Sequence, residues 1–369
     1  MNIINVTRVD MPPIGDYIEY LEEIWESKWL TNNGKFVQTF ENKLQGYLGV
    51  QNIVAVTNGT LALNVALKAL EITGEVITTP FTFPATTNVL IWAGLTPVFA
   101  DIDPQTWNID PVDVEKKITE NTSAILAVHC YGNPCYVEEL QKIAYKYDLK
   151  LIYDAAHSFG VQYKSESLLN YGDVSCLSFH ATKIMHTIEG GAIVAKKTDV
   201  SDKIRLLINH GIKSEEEVEL AGTNAKMNEF QAVMGLCNLK HVDTKIKQRE
   251  ELYFHYKERL SGLNIQFQKL ISSRYNYIYM PVIFESLGQR DKVYSNLIQN
   301  GIKARKYFFP LTVSSAYFQD KNLVDKYHLN VASYIANCVL CLPLYADLEM
   351  ATTDVIIDII KKTIKRSEW

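Results

Sequence analysis

Six cysteines spread over 369 residues are too few for a disulfide framework. The one close pair, Cys338 and Cys341, lacks the second pair of ligands that a zinc site would need. They read as reduced core residues. A basic excess is also missing: 37 Lys and Arg against 42 Asp and Glu leave a formal net charge of -5, without the clustered cations that a nucleic-acid backbone requires. Apolar runs such as Val355–Ile360 are interrupted by charge well before they could span a bilayer. The opening segment Met1–Glu22 carries Arg8, Asp10, Asp16, Glu19 and Glu22 with no apolar block, so neither a secretory signal nor an anchor is expected and a cytoplasmic location is. No Gly-x-Gly-x-x-Gly follows the early strands, which speaks against a nicotinamide oxidoreductase. No repeat or low-complexity tract supports a solenoid.

What the chain does have is an alternation of short apolar runs and helical patterns, in a composition of 47 % hydrophobic and 21 % charged residues. Strands are expected at Ile53–Thr57, Glu75–Thr79, Thr96–Asp101, Ser123–His129, Lys150–Asp154, Val174–Phe179 and Ala192–Ala195. Leu61–Leu70 predicts a helix buried on most of its circumference, Pro84 opens another through Ala93, and Tyr136–Tyr147 gives an amphipathic third. Strands and helices in turn imply a mostly parallel α/β sheet of seven strands covered on both faces, with ligands at the carboxyl ends of its strands. Beyond Gly222 the pattern changes to one long helix, Asn228–Leu260, a strand at Tyr275–Ile283 and helices around Asp291–Gln299 and Thr353–Ile364. The expected division is a large domain over 1–240, including an N-terminal segment 1–35, and a smaller α+β domain over 241–369.

Three strand ends carry candidate chemistry. Thr57-Asn58-Gly59-Thr60 lies between a strand and the buried helix, where Gly59 admits a close backbone approach and Thr60 sits among unpaired N–H groups suited to a phosphate. Asp154-Ala155-Ala156-His157 places an acid at the end of a buried strand, able to pair with a protonated ring nitrogen. Ser178-Phe179-His180-Ala181-Thr182-Lys183, followed by Glu189-Gly190-Gly191, brings a lysine to the point where a strand gives out. A lysine desolvated there loses affinity for its proton and becomes a nucleophile toward an aldehyde. Taken alone, the first motif reads better as a capped turn and the lysine as a solvated charge, and the acid and histidine as readily as a cap and a satisfied core group; their order and shared location at strand ends favour one common ligand.

These motifs, together with Thr79-Pro80-Phe81-Thr82-Phe83 and Gly222-Thr223-Asn224-Ala225-Lys226-Met227-Asn228-Glu229-Phe230-Gln231-Ala232, resemble the sugar aminotransferases of the DegT/DnrJ/EryC1/StrS family. The likeness runs from Trp29-Leu30-Thr31-Asn32-Asn33-Gly34 to Leu342-Pro343-Leu344-Tyr345. It implies the architecture of the fold-type I enzymes that use pyridoxal 5′-phosphate, with pyridoxamine 5′-phosphate in the second half-reaction. In that pattern Lys183 condenses with the cofactor aldehyde, Asp154 pairs with the pyridine nitrogen, His157 touches the ring's phenolic oxygen and Phe83 stacks on the ring. Gly59, Thr60 and Ser178 hold the phosphate, and Asn224 reaches it from a neighbouring subunit, which implies a homodimer with shared sites. Lys226 departs from the family, where arginine is common, and His186 has no assigned counterpart.

The resemblance further implies glutamate as amino donor and a nucleotide-linked keto-sugar as acceptor. The wording His-Ala-Thr-Lys favours dTDP-4-keto-6-deoxy-D-glucose, giving dTDP-4-amino-4,6-dideoxy-D-glucose. Thr31, Asn32, Asn33, His186 and Tyr307 are the candidate substrate contacts. A 3-keto or a UDP- or GDP-linked sugar, and a non-catalytic cofactor-binding regulator, stand as alternatives. A 3-dehydratase of the same family would carry histidine where this chain has Lys183.

Overall fold

A computed structural model describes residues 3–318 and 322–365. Met1 and Asn2 of the expected N-terminal segment lie outside the described residues, as do 319–321 and 366–369 of the expected smaller domain. The centre is a seven-stranded sheet of β1 (Ile53–Val56), β2 (Glu75–Thr78), β3 (Thr96–Phe99), β4 (Thr122–Val128), β5 (Lys150–Asp154), β6 (Val174–Ser178) and β7 (Gly191–Ala195). Their spatial order is β1-β7-β6-β5-β4-β2-β3. All neighbours run parallel except β7, which is antiparallel to both β1 and β6. The seven expected strands are thus all present.

Side chains alternate between two apolar layers as strand geometry requires. Ile53, Ala55, Ile77, Leu151, Tyr153 and Val194 enter one buried cluster. Val54, Val56, Val76, Ile152 and Ile193 enter the other. Helix Gly59–Ala69 covers the second layer, burying Ala62, Leu63, Val65, Ala66 and Leu67. Each such fully buried Val, Leu or Ile contributes about 1.5–3 kcal/mol. Helix Pro84–Trp92 starts on its proline, and the chain leaves it through Gly94 at φ 72°, a left-handed conformation that costs glycine nothing.

Two expectations are corrected. Asn228–Leu260 is not one helix but two, Glu229–Leu239 and Val242–Leu260. The break falls at Lys240–His241, where His241 N–H bonds the Asn238 carbonyl in a tighter turn, while the Asn238 amide donates to the His186 carbonyl at 2.9 Å. No glycine or proline marks it. The strand at Tyr275–Ile283 begins only at Met280. Tyr277 holds φ 53° and the Asn276 amide donates to the carbonyls of His157 and Phe159, so the stretch before Met280 is a buried irregular segment.

The C-terminal region adds a three-stranded antiparallel sheet of β8 (Ile265–Phe267), β9 (Met280–Phe284) and β10 (Val339–Leu342). Helices Leu287–Gln299 and Met350–Lys365 lie in contact with one another. The N-terminal Ile4–Asn5 pairs in parallel with Ile302–Lys303. Among the described residues no helix is long and apolar enough to cross a membrane. All six cysteines are buried and free.

Candidate active site

The carboxyl ends of β1, β5 and β6 open into one cavity of about 910 Å³. Gly59, Thr60, Phe83, Asp154, His157, Ser178, Lys183 and Tyr307 all line it. Asn58 caps helix Gly59–Ala69, its side chain accepting from Leu61 N–H, while Gly59 and Thr60, whose N–H groups have no partner within the helix, line the cavity. At Gly59 an added Cβ would fall 2.9 Å from Cβ of Ser178. The glycine is needed because the helix start lies directly against the end of β6 here.

Asp154 ends β5 at 7 % exposure. Its carboxylate accepts from Thr86 Oγ1 at 2.7 Å and from Ala156 N–H at 3.1 Å. Burial pushes its pKa up, opposed by these hydrogen bonds and by the charge of Lys183. Lys183 sits in the turn after β6, its N–H bonded to the His180 carbonyl. Its amine is lowered from 10.5 to about 8, chiefly by burial and further by the Arg305 charge, with Asp154 pulling the other way. His157 is held well below its ordinary pKa, first by burial and then by Lys183 and Arg305, and so is neutral near pH 7. Its ring lies parallel to that of Phe308 at 5.9 Å. Nδ1 of His157 is buried and has no hydrogen-bond partner among the described residues. A partly desolvated amine beside a buried acid, a neutral imidazole and free N–H groups at a helix start can seat a phosphorylated aromatic aldehyde.

Five of the expected site residues stand outside this cavity. Thr31, Asn32 and Asn33 do not line this cavity; Asn32 and Asn33 hold φ 61° and 55° in the turn that leads into helix Lys35–Leu48. Asparagine tolerates that conformation. His186 is a correction of a different kind. It is buried below the loop carrying Lys183, Nε2 lying 3.0 Å from the Asp10 carbonyl, and it packs the N-terminal segment against the body. Asn224, expected to serve a neighbouring subunit, is exposed and bridged to Asn209 outside the cavity of its own chain. The departing Lys226 donates to Asn209 Oδ1 at 2.5 Å.

Thr86, Tyr279 and Arg305 belong to the cavity or its support and were not foreseen. Thr86 left a faint signal, a hydroxyl in an apolar helix that must find a partner when buried. Arg305 left none, because an arginine beside Lys303 and Lys306 reads as a surface charge.

A model of the DegT/DnrJ/EryC1/StrS aminotransferase family matches residues 14–361. The chain is 44 % identical over 351 residues to a dTDP-4-amino-4,6-dideoxy-D-glucose transaminase of Escherichia coli, with 94 % of each covered. DesI, solved in the presence of its TDP-sugar product, superimposes with a TM-score of 0.91 at 33 % identity, covering 100 % of this chain and 94 % of that one. NtdA of Bacillus subtilis with bound cofactor PMP gives a TM-score of 0.88 at 28 % identity, over 95 % and 82 % of the two chains. With sequence and fold matched over nearly their whole length, this chain belongs to the DegT/DnrJ/EryC1/StrS aminotransferase family.

Proposed function

We propose that this enzyme uses pyridoxal 5′-phosphate to move an amino group from glutamate to a nucleotide-linked keto-sugar, dTDP-4-keto-6-deoxy-D-glucose, giving dTDP-4-amino-4,6-dideoxy-D-glucose. The observation that carries the reading is Lys183, lowered to about 8, sharing one cavity with Asp154 and with the Gly59–Thr60 helix start. Three features fit the cofactor: the orphaned Nδ1 of His157, the helix start at Gly59 packed so closely on Ser178 that no side chain fits there, and an acid kept in place by Thr86. The choice of sugar rests on the name of the Escherichia coli relative and the TDP-sugar product of DesI.

The residues would divide the work as follows. Gly59, Thr60 and Ser178 hold the phosphate, Asp154 the ring nitrogen, His157 the phenolic oxygen, and Phe83 one face of the ring. When bound, the cofactor supplies an aldehyde for covalent capture of the amine and a ring that withdraws electrons from the donor's α-carbon. Lys183 Nζ serves first as attachment point and then as the base that takes the proton from that carbon. Phe83 and Asp154 orient the ring so that the breaking C–H bond points toward Lys183. Asn224 would complete the phosphate site of a second subunit in a homodimer. We place the boundary between the two domains at the turn between the helices ending at Leu239 and starting at Val242.

Purified enzyme loaded with cofactor and given glutamate should lose its aldimine absorbance. Supplied next with a panel of keto-sugar nucleotides, it should yield the 4-amino dTDP-sugar by mass and NMR. Amination at C3, or of a UDP- or GDP-linked sugar, would overturn the substrate, and absorbance that persists with glutamate would overturn the reaction.

A further inference from the structure

Arg305 lines the same cavity as Lys183 and Asp154, yet among the described residues it has no acidic partner. Its neighbour Lys306 does, pairing with Asp291 at 2.6 Å. Both acids on the cavity wall are turned to other groups: Asp154 is bonded by Thr86 and Ala156, and Glu189 lies 3.6 Å from His180. The backbone of Arg305 is fixed, exchanging two hydrogen bonds with Cys341 at 3.0 and 2.8 Å. Its guanidinium lies over the Tyr307 ring, 4.1 Å from the centroid, an attraction that holds the plane without using its N–H donors. A cation anchored at its root, steered by a ring and unpaired at its tip suits an anion that comes and goes.

Two anions visit such a site, the carboxylates of the amino donor and the diphosphate of the sugar nucleotide. Position separates them. The Tyr307 ring beneath Arg305 is 6.4 Å from the rings of both Phe83 and His157, the side chains that bound the proposed cofactor seat. A donor's α-carboxylate is one bond from the carbon whose proton Lys183 takes, so its receptor has to stand near Lys183. The diphosphate is separated from the reacting C4 by a whole pyranose ring, and its receptor belongs farther out. The positive charge of Arg305 is felt at both Lys183 and His157, in keeping with the nearer role.

We propose that Arg305 binds the α-carboxylate of the amino donor and so selects an amino acid for the first half-reaction, an inference that rests on the amino-transfer reading above. Arg305 then gives way when the keto-sugar enters the same space.

The test uses cofactor-loaded enzyme carrying Arg305→Met or Arg305→Lys, with folding checked by thermal melting. Glutarate, a dicarboxylate that cannot react, probes binding by calorimetry, and glutamate bleaching and keto-sugar amination are followed as separate half-reactions. The Met variant should weaken glutarate binding and raise the half-saturating glutamate concentration by roughly tenfold to a hundredfold, the loss expected for a charge-assisted contact. The Lys variant should fall between, and the half-saturating keto-sugar concentration should be little changed. Unaltered glutarate affinity in both variants would overturn the assignment, as would a loss confined to the sugar half-reaction. Wild-type enzyme that binds glutarate through Arg305 but never bleaches with glutamate would sustain the anion receptor while removing amino transfer.

Discussion

The hydroxyl of Thr86 donates to Oδ2 of Asp154 at 2.7 Å, and Thr82 Oγ1 stands 2.8 Å behind it. All three residues are buried. Helix Pro84–Trp92 therefore reaches across to fix the acid at the end of β5, and the acid's orientation depends on an element that carries no catalytic group of its own.

Replacing Thr86 by valine removes that hydrogen bond at nearly constant volume. Because burial raises the Asp154 pKa and the Thr86 bond lowers it, the variant's carboxyl should rise further and be less ionised at a given pH. We expect kcat to fall about tenfold. The acid limb of the pH–rate profile should move to higher pH, and an unmoved limb would separate Thr86 from the charge state of Asp154.

Lys183 must be neutral to attack an aldehyde. With its amine at about 8, capture of pyridoxal phosphate by cofactor-free protein should accelerate with pH and level off above about pH 8, whereas an ordinary lysine would keep accelerating toward 10.5. Stopped-flow absorbance across that range distinguishes the two.

The same shift makes Lys183 a liability to the fold. Above 10.5 the amine is neutral folded or unfolded; as pH falls toward 8 the unfolded chain takes up a proton that the folded one resists, and stability declines to a constant deficit below 8. Cofactor-free Lys183→Met should therefore melt roughly 1–3 °C higher than wild type near neutral pH, the gap closing in alkali. Its turnover should drop by about 10²–10⁴-fold or more. Retained activity would contradict the role given to Lys183.

At Gly59 a methyl group meets Cβ and Oγ of Ser178 at 2.9 and 3.3 Å. Strand β6 has to shift to admit it, at a cost of about 1–3 kcal/mol. Gly59→Ala should raise the dissociation constant for pyridoxal phosphate by roughly tenfold or more. Fluorescence titration reads it, and wild-type affinity would remove the phosphate from this turn.

Asn224 is exposed and does not line its own cavity. If it serves a second subunit, Asn224→Ala and Lys183→Ala should each be impaired alone, and mixing them during refolding should restore part of the activity. In a mixed dimer one of the two sites draws both intact residues. No recovery would place Asn224 outside any active site.

Much of this was legible in the chain. The seven strands were readable because each is a short apolar run bounded by turn residues, and Lys183, Asp154 and Gly59 because they fall where those runs end. The helix break at Lys240–His241 was not, since it is made by a tertiary bond from Asn238 to His186 and leaves the local pattern helical. Tyr277 escaped for the same reason: its left-handed backbone is imposed by Asn276 reaching back to His157 and Phe159. His186 was drawn to the site by its nearness in sequence to Lys183, and the fold sends it to Asp10. Arg305 stands near the candidate Tyr307 but far in sequence from Lys183, so only the folded chain brings those two into one cavity.

The pairing of Ile4–Asn5 with Ile302–Lys303 sets an order of assembly. Ile4 and Asn5 can pair only once Ile302 and Lys303, far along the chain, have been made. Asp10 waits similarly for Arg249, which it meets at 2.9 Å. The segment around Ile4 to Asp10 thus docks only after the distant chain that holds it exists. Trimming it should loosen the carboxyl-terminal half of the molecule, far along the chain from the cut.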